Sequence, residues 1–229
     1  KKRLIRAINK NYEKELDIID KYADKTKDAL DIGVYRGVYS YKLSQNFKTV
    51  HSFEPNPLLF PYLEKNLKKI IKNLVLYNYA LSDVNGESEL KLPIRSKSFF
   101  KGNIEELFKL GAATIHPDNK ILNYKKIPIK MKKLDEFKID NKIGFIKIDV
   151  EGHEKNVLEG ARETIKQNKP ILLIEIEEKH TRKPIEETIN FVKSLNYEAY
   201  VYNGGKLVSF SGQSNGKKEI NYIFINKNI

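Results

Sequence analysis

The sequence contains no cysteine and no tryptophan among its 229 residues. Without cysteine the chain can form no disulfide, no thiolate nucleophile and no cysteine-based zinc site. The four histidines are scattered without the spacing of metal ligands, so we predict no metal site. No apolar run approaches the roughly 20 residues that a membrane span needs, and no signal-peptide segment opens the sequence. These absences are compatible with the cytoplasm, which is the location we expect.

Positive charge is in excess, with 42 Lys and Arg against 30 Asp and Glu and a net charge of +12. Such an excess indicates nucleic-acid binding when the charge is massed on one face. Here the densest basic stretch is Lys120–Lys133, and the other lysines are spread over many segments. Dispersed lysines are typical of a solvated surface in a compositionally biased chain. Nucleic acid is therefore not the partner we expect.

Helical and strand patterns alternate along the chain. Strands that alternate with helices predict an α/β fold with a doubly wound, mostly parallel sheet. The last two predicted strands, Glu198–Tyr202 and Ile220–Ile225, have only a glycine-containing loop between them, which predicts an antiparallel last strand. The other predicted strands are Ala29–Ile32, Thr49–Phe53, Leu74–Tyr79, Ile143–Ile148 and Ile171–Ile176, and the predicted helices cover Ile5–Ala23, Val38–Phe47, Leu59–Ile70, Val157–Ile165 and Ile185–Leu195.

The alternation is interrupted in the middle of the chain. Ser88–Ile94 and Ile127–Leu134 are predicted to pair as antiparallel strands, and residues 95–124 form a polar insertion with one short helical stretch, Ile104–Leu110. We see no domain linker, so we predict a single domain over residues 1–229, with residues 1–28 as a helical cap. Because inserted loops often carry specificity, we expect residues 95–124 to cover the acceptor site.

The segment DIGVYRG, residues 31–37, follows the first strand and opens a helix, the place where Rossmann-like folds bind a nucleotide. Tyr35 stands where a dinucleotide fingerprint needs its second glycine, which argues against a pyrophosphate and hence against a sugar dehydrogenase. Glu54 ends the second strand about 20 residues after Gly33, where an acid can bind ribose hydroxyls. The pattern predicts a nucleoside with a free ribose diol, such as S-adenosylmethionine, with Asp31 facing its ammonium group.

Ionisable residues crowd the end of the predicted fourth strand in FIKIDVEGHE, residues 145–154. Ligand sites in open α/β sheets lie beyond the carboxyl ends of the strands. Asp149 and Glu151 suit the binding of a substrate hydroxyl or the removal of its proton, and His153 suits a general base. Glu175, at the end of the next strand, could bind substrate hydroxyls. The same stretch also has the pattern of an ordinary helix start, with His153 on the surface.

Five motifs occur in order along most of the chain: DIGVYRGVYS, SFEPNPLLFPYLEKN, YALSD, KKLDEF and IKIDVEGHEKNVLEGA. Together they resemble the FkbM family of S-adenosylmethionine-dependent methyltransferases, from about residue 12 to residue 178. The resemblance implies the seven-stranded class I methyltransferase sheet with an antiparallel last strand. It also implies methyl transfer to a hydroxyl of a sugar or another natural product.

The resemblance extends to individual residues. It implies a methionine-binding loop after the first strand, a ribose-binding acid, an adenine contact at the third strand and a signature after the fourth. One departure concerns the first loop, where the family usually has Ala and Asn in place of Val34 and Tyr35. The cofactor-binding residues are predicted to be Asp31, Gly33, Val34, Tyr35, Gly37, Glu54, Pro55, Asn56, Ala80, Leu81, Ser82 and Asp149, and Asp149, Glu151 and Gly152 match the signature after the fourth strand. The resemblance does not itself assign a base, so the catalytic candidates Asp149, Glu151, His153 and Glu175 rest on their own chemistry.

Other functions remain open on the sequence. A 2′-O-methyltransferase acting on RNA also deprotonates a hydroxyl, but it needs a continuous basic groove. A catalytically silent binding module could keep the fold, although it has no physical need for both Glu54 and Asp149. An N-methyltransferase acting on nucleobases would carry an Asn/Asp-Pro-Pro-aromatic loop where this chain has DVEG. An Asp-centred metal site would need a second ligand pair, which the sequence does not offer.

Overall fold

The computed structural model describes residues 14–93, 113–117, 119, 123–212 and 220–229. Within these residues the strands are β1 (Asp28–Ile32), β2 (Val50–Phe53), β3 (Leu74–Tyr77), β4 (Ala80–Leu81), β5 (Gly86–Pro93), β6 (Tyr124–Lys132), β7 (Ile143–Ile148), β8 (Ile171–Glu175), β9 (Tyr197–Asn203), β10 (Lys206–Ser209) and β11 (Asn221–Asn226). The helices are α1 (Leu16–Lys21), α2 (Val38–Asn46), α3 (Phe60–Leu67), α4 (Glu154–Glu159), α5 (Arg162–Asn168), α6 (Glu178–Thr181) and α7 (Glu186–Ser194), with a 3₁₀ turn at Leu134–Glu136.

The main sheet has, within the described ranges, the strand order β10-β9-β11-β8-β7-β1-β2-β3. Strands β1, β2, β3, β7 and β8 pair in parallel, while β11 is antiparallel to both β8 and β9. The predicted α/β class and the antiparallel last strand are therefore confirmed. The chain winds away from β1 in two directions, so the crevice for a ligand lies at the carboxyl ends of β1 and β7.

Both faces of the sheet are buried, as expected for parallel strands covered by helices. Alternate side chains of β1, β7 and β8 join opposite cores because successive residues of a strand point to opposite faces. Leu30, Ile146 and Leu172 pack with the residues of α4, α5 and α7. Ala29, Phe145 and Leu173 pack on the other face with α1, α2 and α3.

The helix predicted over Val157–Ile165 is wrong as a single element, because the structure has two helices there, α4 and α5. The break lies at Gly160, which packs against the backbone of the β4 exit. A Cβ atom at Gly160 would lie 1.9 Å from the carbonyl oxygen of Ser82. The carbonyl of Gly160 also accepts a hydrogen bond of 3.0 Å from the backbone of Asp135. This close approach ends α4 and ties it to the third-strand exit.

The end of the chain also differs from the expectation in detail. Strand β10 pairs back onto β9, so the last two predicted strands are joined through a further strand rather than through a loop alone. The predicted antiparallel pair is confirmed as β5 and β6, which form a separate small sheet with β4. The predicted helical stretch Ile104–Leu110 and the first part of the predicted Ile5–Ala23 helix lie outside the described residues.

Candidate active site

The loop between β1 and α2 is fixed by two glycines in left-handed conformations. Gly33 has a φ of +91°, and a Cβ atom there would lie 1.8 Å from the carbonyl oxygen of Asp149. Gly37 has a φ of +75°, and its Cβ would meet the side chain of Leu67 at 2.6 Å. Only glycine accommodates both the conformation and the close approach. The first loop therefore lies directly against the exit of β7.

Asp31 is the last polar residue of β1 and is only 1% exposed. The hydroxyl of Ser40 on α2 donates to its Oδ2, and Ser40 in turn contacts the hydroxyl of Ser52 at 2.9 Å. The other carboxylate oxygen of Asp31, Oδ1, is buried and has no hydrogen-bond partner among the described residues. Burial raises the pKa of Asp31 to about 6, against the opposing effects of Ser40 and Lys147. Buried acceptors normally have a hydrogen-bond partner, so Asp31 Oδ1 is a candidate for accepting a donor from a ligand.

Glu54 follows β2 and is 7% exposed. Its Oε2 accepts the backbone N–H of Tyr35 at 3.2 Å and its Oε1 accepts that of Asn56 at 3.0 Å. Each carboxylate oxygen has a second lone pair, so the group can still accept two hydroxyls. Burial raises the pKa of Glu54 to about 7, although both N–H bonds oppose the shift. The carboxylate is thus held in place before any ligand arrives.

Hydrogen bonds of neighbouring residues hold the backbone around Glu54 in place. Asn56 caps the turn before α3, because its Oδ1 accepts the backbone N–H of Leu58 at 3.0 Å. The amide of Asn78 donates to the carbonyls of Glu54 at 2.7 Å and of Pro55 at 3.2 Å. Sequence reasoning missed Asn78, although an Asn directly after a strand end is a common loop-fixing signal.

Val34 and Tyr35 occupy different environments within the first loop. Val34 is buried in the core that faces α1, α2 and α3. Tyr35 adopts a left-handed φ of 48°, and the guanidinium of Arg36 lies 5.0 Å from the centre of its ring. The peptide N–H of Tyr35, rather than its ring, makes the contact with Glu54. The departure from the family pattern at these positions leaves the backbone contact intact.

The third-strand exit holds His153. Ala80 and Leu81 form β4 and are buried, and the hydroxyl of Ser82 lies 3.0 Å from His153 Nε2. Ser82 also donates to Asp83 at 3.0 Å. Burial lowers the pKa of His153 to about 4, and its Nδ1 is buried without a hydrogen-bond partner among the described residues. The structure thus joins His153 to the segment that the resemblance assigns to adenine.

Asp149 stands at the exit of β7 between the first loop and open space. Its backbone N–H donates to Ile32 at 3.0 Å, and its side chain is 34% exposed. The buried ammonium of Lys147 lies 3.4 Å from its Oδ2 and 5.0 Å from the ring centre of Tyr39. Residues two apart in a strand point to the same face, so Lys147 and Asp149 can form this pair.

Glu151 is fixed by groups from distant parts of the chain. It has a left-handed φ of 55°, and its Oε2 lies 3.0 Å from His180 Nε2 on α6. Its carbonyl accepts the hydroxyl of Thr114 at 2.7 Å and the amide of Asn119 at 3.0 Å. Burial alone would lower the pKa of His180, but the hydrogen bond and charge of Glu151 outweigh it and raise the pKa. The described part of the insertion therefore touches the loop after β7.

Gly152 and Glu154 hold the rest of this loop. A Cβ at Gly152 would lie 3.0 Å from the Cβ of His180 and 3.4 Å from that of His116. The carboxylate of Glu154 accepts the backbone N–H groups of Val150 at 3.2 Å and Gly152 at 3.0 Å. Burial raises the pKa of Glu154 to about 7. Sequence reasoning gave Glu154 only a place in the first turn of a helix.

Four side chains continue the site across the carboxyl edge of the sheet. Strand register places Asp31 beside Lys147, and Glu175 directly opposite Asn221. By alternation all four lie on the face that packs against α1 and α2. Burial raises the pKa of Glu175 to about 8; the charges of Asp149, Glu151 and Glu177 add to the shift and Lys147 opposes it. The four residues, here called the polar row, are Asp31, Lys147, Glu175 and Asn221.

The described part of the chain lacks two other kinds of feature. No group of three or more His, Cys, Asp and Glu is arranged there to hold a metal ion. No helix in the described ranges is long and apolar enough to cross a membrane.

A family model, the methyltransferase FkbM domain, matches residues 31–199, more than half of the chain. The chain belongs to the FkbM methyltransferase family. Its cofactor is S-adenosylmethionine, as for this family as a whole. The matched residues of this FkbM domain include Asp31, Lys147 and Glu175 of the polar row, whereas Asn221 lies beyond them.

Solved structures share the fold at low sequence identity. The chain is 16% identical to the FkbM methyltransferase of Methylobacillus flagellatus, with a TM-score of 0.54. This match covers 88% of the present chain but only 44% of the Methylobacillus chain. An rRNA methylase from Streptococcus thermophilus matches at 12% identity and a TM-score of 0.50, over 92% of this chain and 91% of that one. A methyltransferase-like protein from Streptococcus mutans, in complex with SAH, matches at 13% identity and a TM-score of 0.50, over 92% of this chain and 93% of that one. No curated protein matches the chain.

Proposed function

We propose that this FkbM-family chain transfers a methyl group from S-adenosylmethionine to a hydroxyl of a sugar or another small glycan or natural-product acceptor. The observation that carries the proposal is the contact between Gly33 and the backbone of Asp149. This contact brings the cofactor loop next to a partly exposed carboxylate at the end of a strand, that of Asp149. Methyl transfer needs this proximity, because donor and acceptor atoms must be aligned at short range.

The described residues fit the cofactor. The orphaned Oδ1 of Asp31 would accept the ammonium of its methionine part, and the free lone pairs of Glu54 would accept both ribose hydroxyls. Ala80, Leu81 and Ser82 would flank the adenine, with His153 holding Ser82 in place. When bound, the cofactor supplies an electrophilic methyl group on a sulfonium centre. The protein's part is to bind, to orient and to exclude water.

On the acceptor side we assign the proton transfer to Asp149. A hydroxyl becomes a better nucleophile when a positioned carboxylate accepts its proton. Asp149 suits this role because its side chain is partly exposed and its Oδ2 is paired with the buried ammonium of Lys147. Glu151 positions the loop through His180, and Glu175 binds the acceptor. We assign His153 to positioning rather than to proton removal, because its Nε2 is engaged with Ser82.

The insertion and the N-terminal segment would complete the acceptor site. The side chains of Thr114 and Asn119 donate hydrogen bonds to the carbonyl of Glu151. These contacts support the proposal that residues 95–124 cover the acceptor site. Tyr202 on β9 reaches Asp17 on α1 at 3.4 Å, which supports a cap at residues 1–28. An RNA acceptor is less suited to this side, because Asp149, Glu151, Glu175 and Glu177 would oppose a phosphate backbone.

The test is a transfer assay with methyl-labelled S-adenosylmethionine and three acceptor classes: free sugars, sugar nucleotides and short RNA. We expect label in an ether linkage on a sugar hydroxyl. Asp149→Asn should lower kcat by about 100- to 10,000-fold, the usual contribution of general base catalysis. The matched control is Asp140→Asn, an exposed carboxylate outside the site.

Two results would contradict the proposal. Label found only in RNA would favour the 2′-O-methyltransferase. Tight cofactor binding with no label in any of the three classes would favour a silent binding module.

A further inference from the structure

Four carboxylates surround the acceptor side, and three of them have a basic partner. Lys147 lies 3.4 Å from Asp149, and His180 lies 3.0 Å from Glu151. Lys179 lies 2.5 Å from Glu177. The fourth is Glu175. Among the residues that the structure describes, no hydrogen bond or ion pair joins its carboxylate to another side chain.

The residue opposite Glu175 carries a second unsatisfied group. Strands β8 and β11 are antiparallel with Glu175 paired to Asn221, and the backbone N–H of Ile176 donates to Ile220 at 2.7 Å. Directly opposed residues of this kind have adjacent side chains on one face. Asn221 is only 8% exposed, and its Oδ1 is buried without a donor within the described ranges. Buried acceptors normally have a partner, so this oxygen points to a ligand.

We propose that Glu175 and Asn221 bind an ammonium group of the acceptor, so that the substrate is an amino-bearing sugar or amino alcohol methylated on a neighbouring hydroxyl. This inference rests on the proposed function and names the acceptor class for the same site. An ammonium offers three donors and a positive charge. An ammonium would donate a hydrogen bond to Asn221 Oδ1 and would also give the carboxylate of Glu175 a cationic partner.

The electrostatics favour an ammonium over a neutral hydroxyl. Although the chain as a whole carries +12, the carboxylates at this edge outnumber the nearby ammonium groups, those of Lys147 and Lys179. A hydroxyl would satisfy Asn221, but only a cation would favour the ionised form of Glu175, which burial and the neighbouring carboxylates disfavour. A phosphate-bearing acceptor would place like charges together at low dielectric, which is costly. The raised pKa of Glu175, caused by burial and by its acidic neighbours, would fall once a cation is bound.

The experiment compares three matched sugar pairs: glucosamine, galactosamine and mannosamine, each against its N-acetyl form. Affinity is measured by calorimetry on full-length protein saturated with S-adenosylhomocysteine, and methyl transfer is measured in parallel. We expect at least one free amine to bind about 10-fold or more tighter than its amide, the usual worth of a charged hydrogen bond. Glu175→Gln should reduce the ratio to about 2-fold or less. Asn221→Asp should increase it, and the exposed control Glu163→Gln should not change it.

Each outcome separates this inference from the proposed function. Equal binding of amine and amide, a preference for the amide, no binding of any sugar, or an unchanged preference in Glu175→Gln would overturn the ammonium site. Methyl transfer to neutral sugars in the same samples would leave the O-methyltransferase proposal standing. Failure of S-adenosylhomocysteine to bind would instead contradict the proposed function.

Discussion

The two halves of the carboxyl edge are built in different ways. The cofactor half, at the exits of β1 and β2, is held by its own backbone: Glu54 accepts the N–H groups of Tyr35 and Asn56, and Gly33 rests on Asp149. The acceptor half, at the ends of β7 and β8 and the start of β11, is held by side chains from distant segments, such as His180 on Glu151. A half fixed by local backbone contacts is preorganised for one ligand, whereas a half fixed by long-range pairs can change its ligand through few substitutions.

Both halves contain one buried oxygen without a partner in the described structure, Asp31 Oδ1 and Asn221 Oδ1. Each lies on the same face of the sheet, at opposite ends of the polar row. In the proposals above, Asp31 Oδ1 would accept a donor from the cofactor and Asn221 Oδ1 a donor from the acceptor. The following predictions test whether the two halves are independent.

The largest effect is expected at the contact between the halves. Gly33→Ala adds a Cβ atom 1.8 Å from a backbone oxygen at a left-handed φ, so the loop must move away from Asp149. We expect a loss of at least about 100-fold in cofactor affinity by calorimetry, since such strain costs several kcal/mol.

The control for this change is Gly212→Ala. Gly212 has nearly the same φ, +92°, but no atom of the described residues lies within 4 Å of its added Cβ. It should lose some stability and no cofactor affinity. A folded Gly33→Ala protein that binds the cofactor normally would refute the role of this contact.

A moderate effect is expected at Asn78, which acts on the cofactor half alone. Asn78→Ala removes two hydrogen bonds to the backbone around Glu54, so cofactor affinity should fall about 3- to 10-fold. Amine preference on the acceptor side should stay the same. Asn66→Ala is the control, because its amide also donates to a backbone carbonyl, that of Tyr62 at 2.8 Å, but away from the site. Equal cofactor affinity in the wild-type protein, Asn78→Ala and Asn66→Ala would argue against a Glu54 carboxylate that is held in place before the cofactor binds.

The smallest effect concerns pH and the acceptor half. Glu175 has a pKa raised to about 8, so the folded state keeps a proton that the unfolded chain has lost. Its contribution to stability is present at low pH and is lost as the pH rises towards 8. Glu54 and Glu154, with pKa values of about 7, act in the same direction.

Thermal unfolding of the cofactor-free protein should therefore shift to lower temperature between pH 6.5 and 8. Glu175→Gln should reduce this shift by a few degrees, corresponding to about 1 kcal/mol for a chain of this size. Glu163→Gln, an exposed carboxylate, should leave it unchanged. A melting temperature that rises over this interval in the wild-type protein would contradict the assignment.

The cofactor half could be predicted from the sequence because its signals are local. Asp31 lies near the end of β1, and Gly33 and Glu54 directly follow β1 and β2, so parallel-sheet geometry places all three at one edge. Asn78 and Ser40 escaped notice because polar residues after a strand or on a helix have many ordinary roles. The break between α4 and α5 at Gly160 could not be predicted, because it depends on a contact with Ser82 that only the tertiary structure provides.

The acceptor half was harder to predict because its parts come from separated segments. His180 and Thr114 meet Glu151 only after folding, and no spacing rule relates them. Asn221 had a signal that could have been used. An antiparallel strand begins where its parallel neighbours end, so the first residue of β11 lies at the carboxyl edge. A polar residue before an apolar run at that place is a candidate for the site.

The central claim is that the cofactor half is complete in this chain and binds S-adenosylmethionine through Glu54. Calorimetric titration with S-adenosylmethionine and, in parallel, NAD tests it on the wild-type protein, on Glu54→Ala and on the exposed control Glu64→Ala. We predict a dissociation constant on the order of micromolar for S-adenosylmethionine alone, weakened about 10- to 100-fold in Glu54→Ala and unchanged in Glu64→Ala. Folded wild-type protein that fails to bind S-adenosylmethionine, or a Glu54→Ala variant that binds it equally well, would contradict the claim.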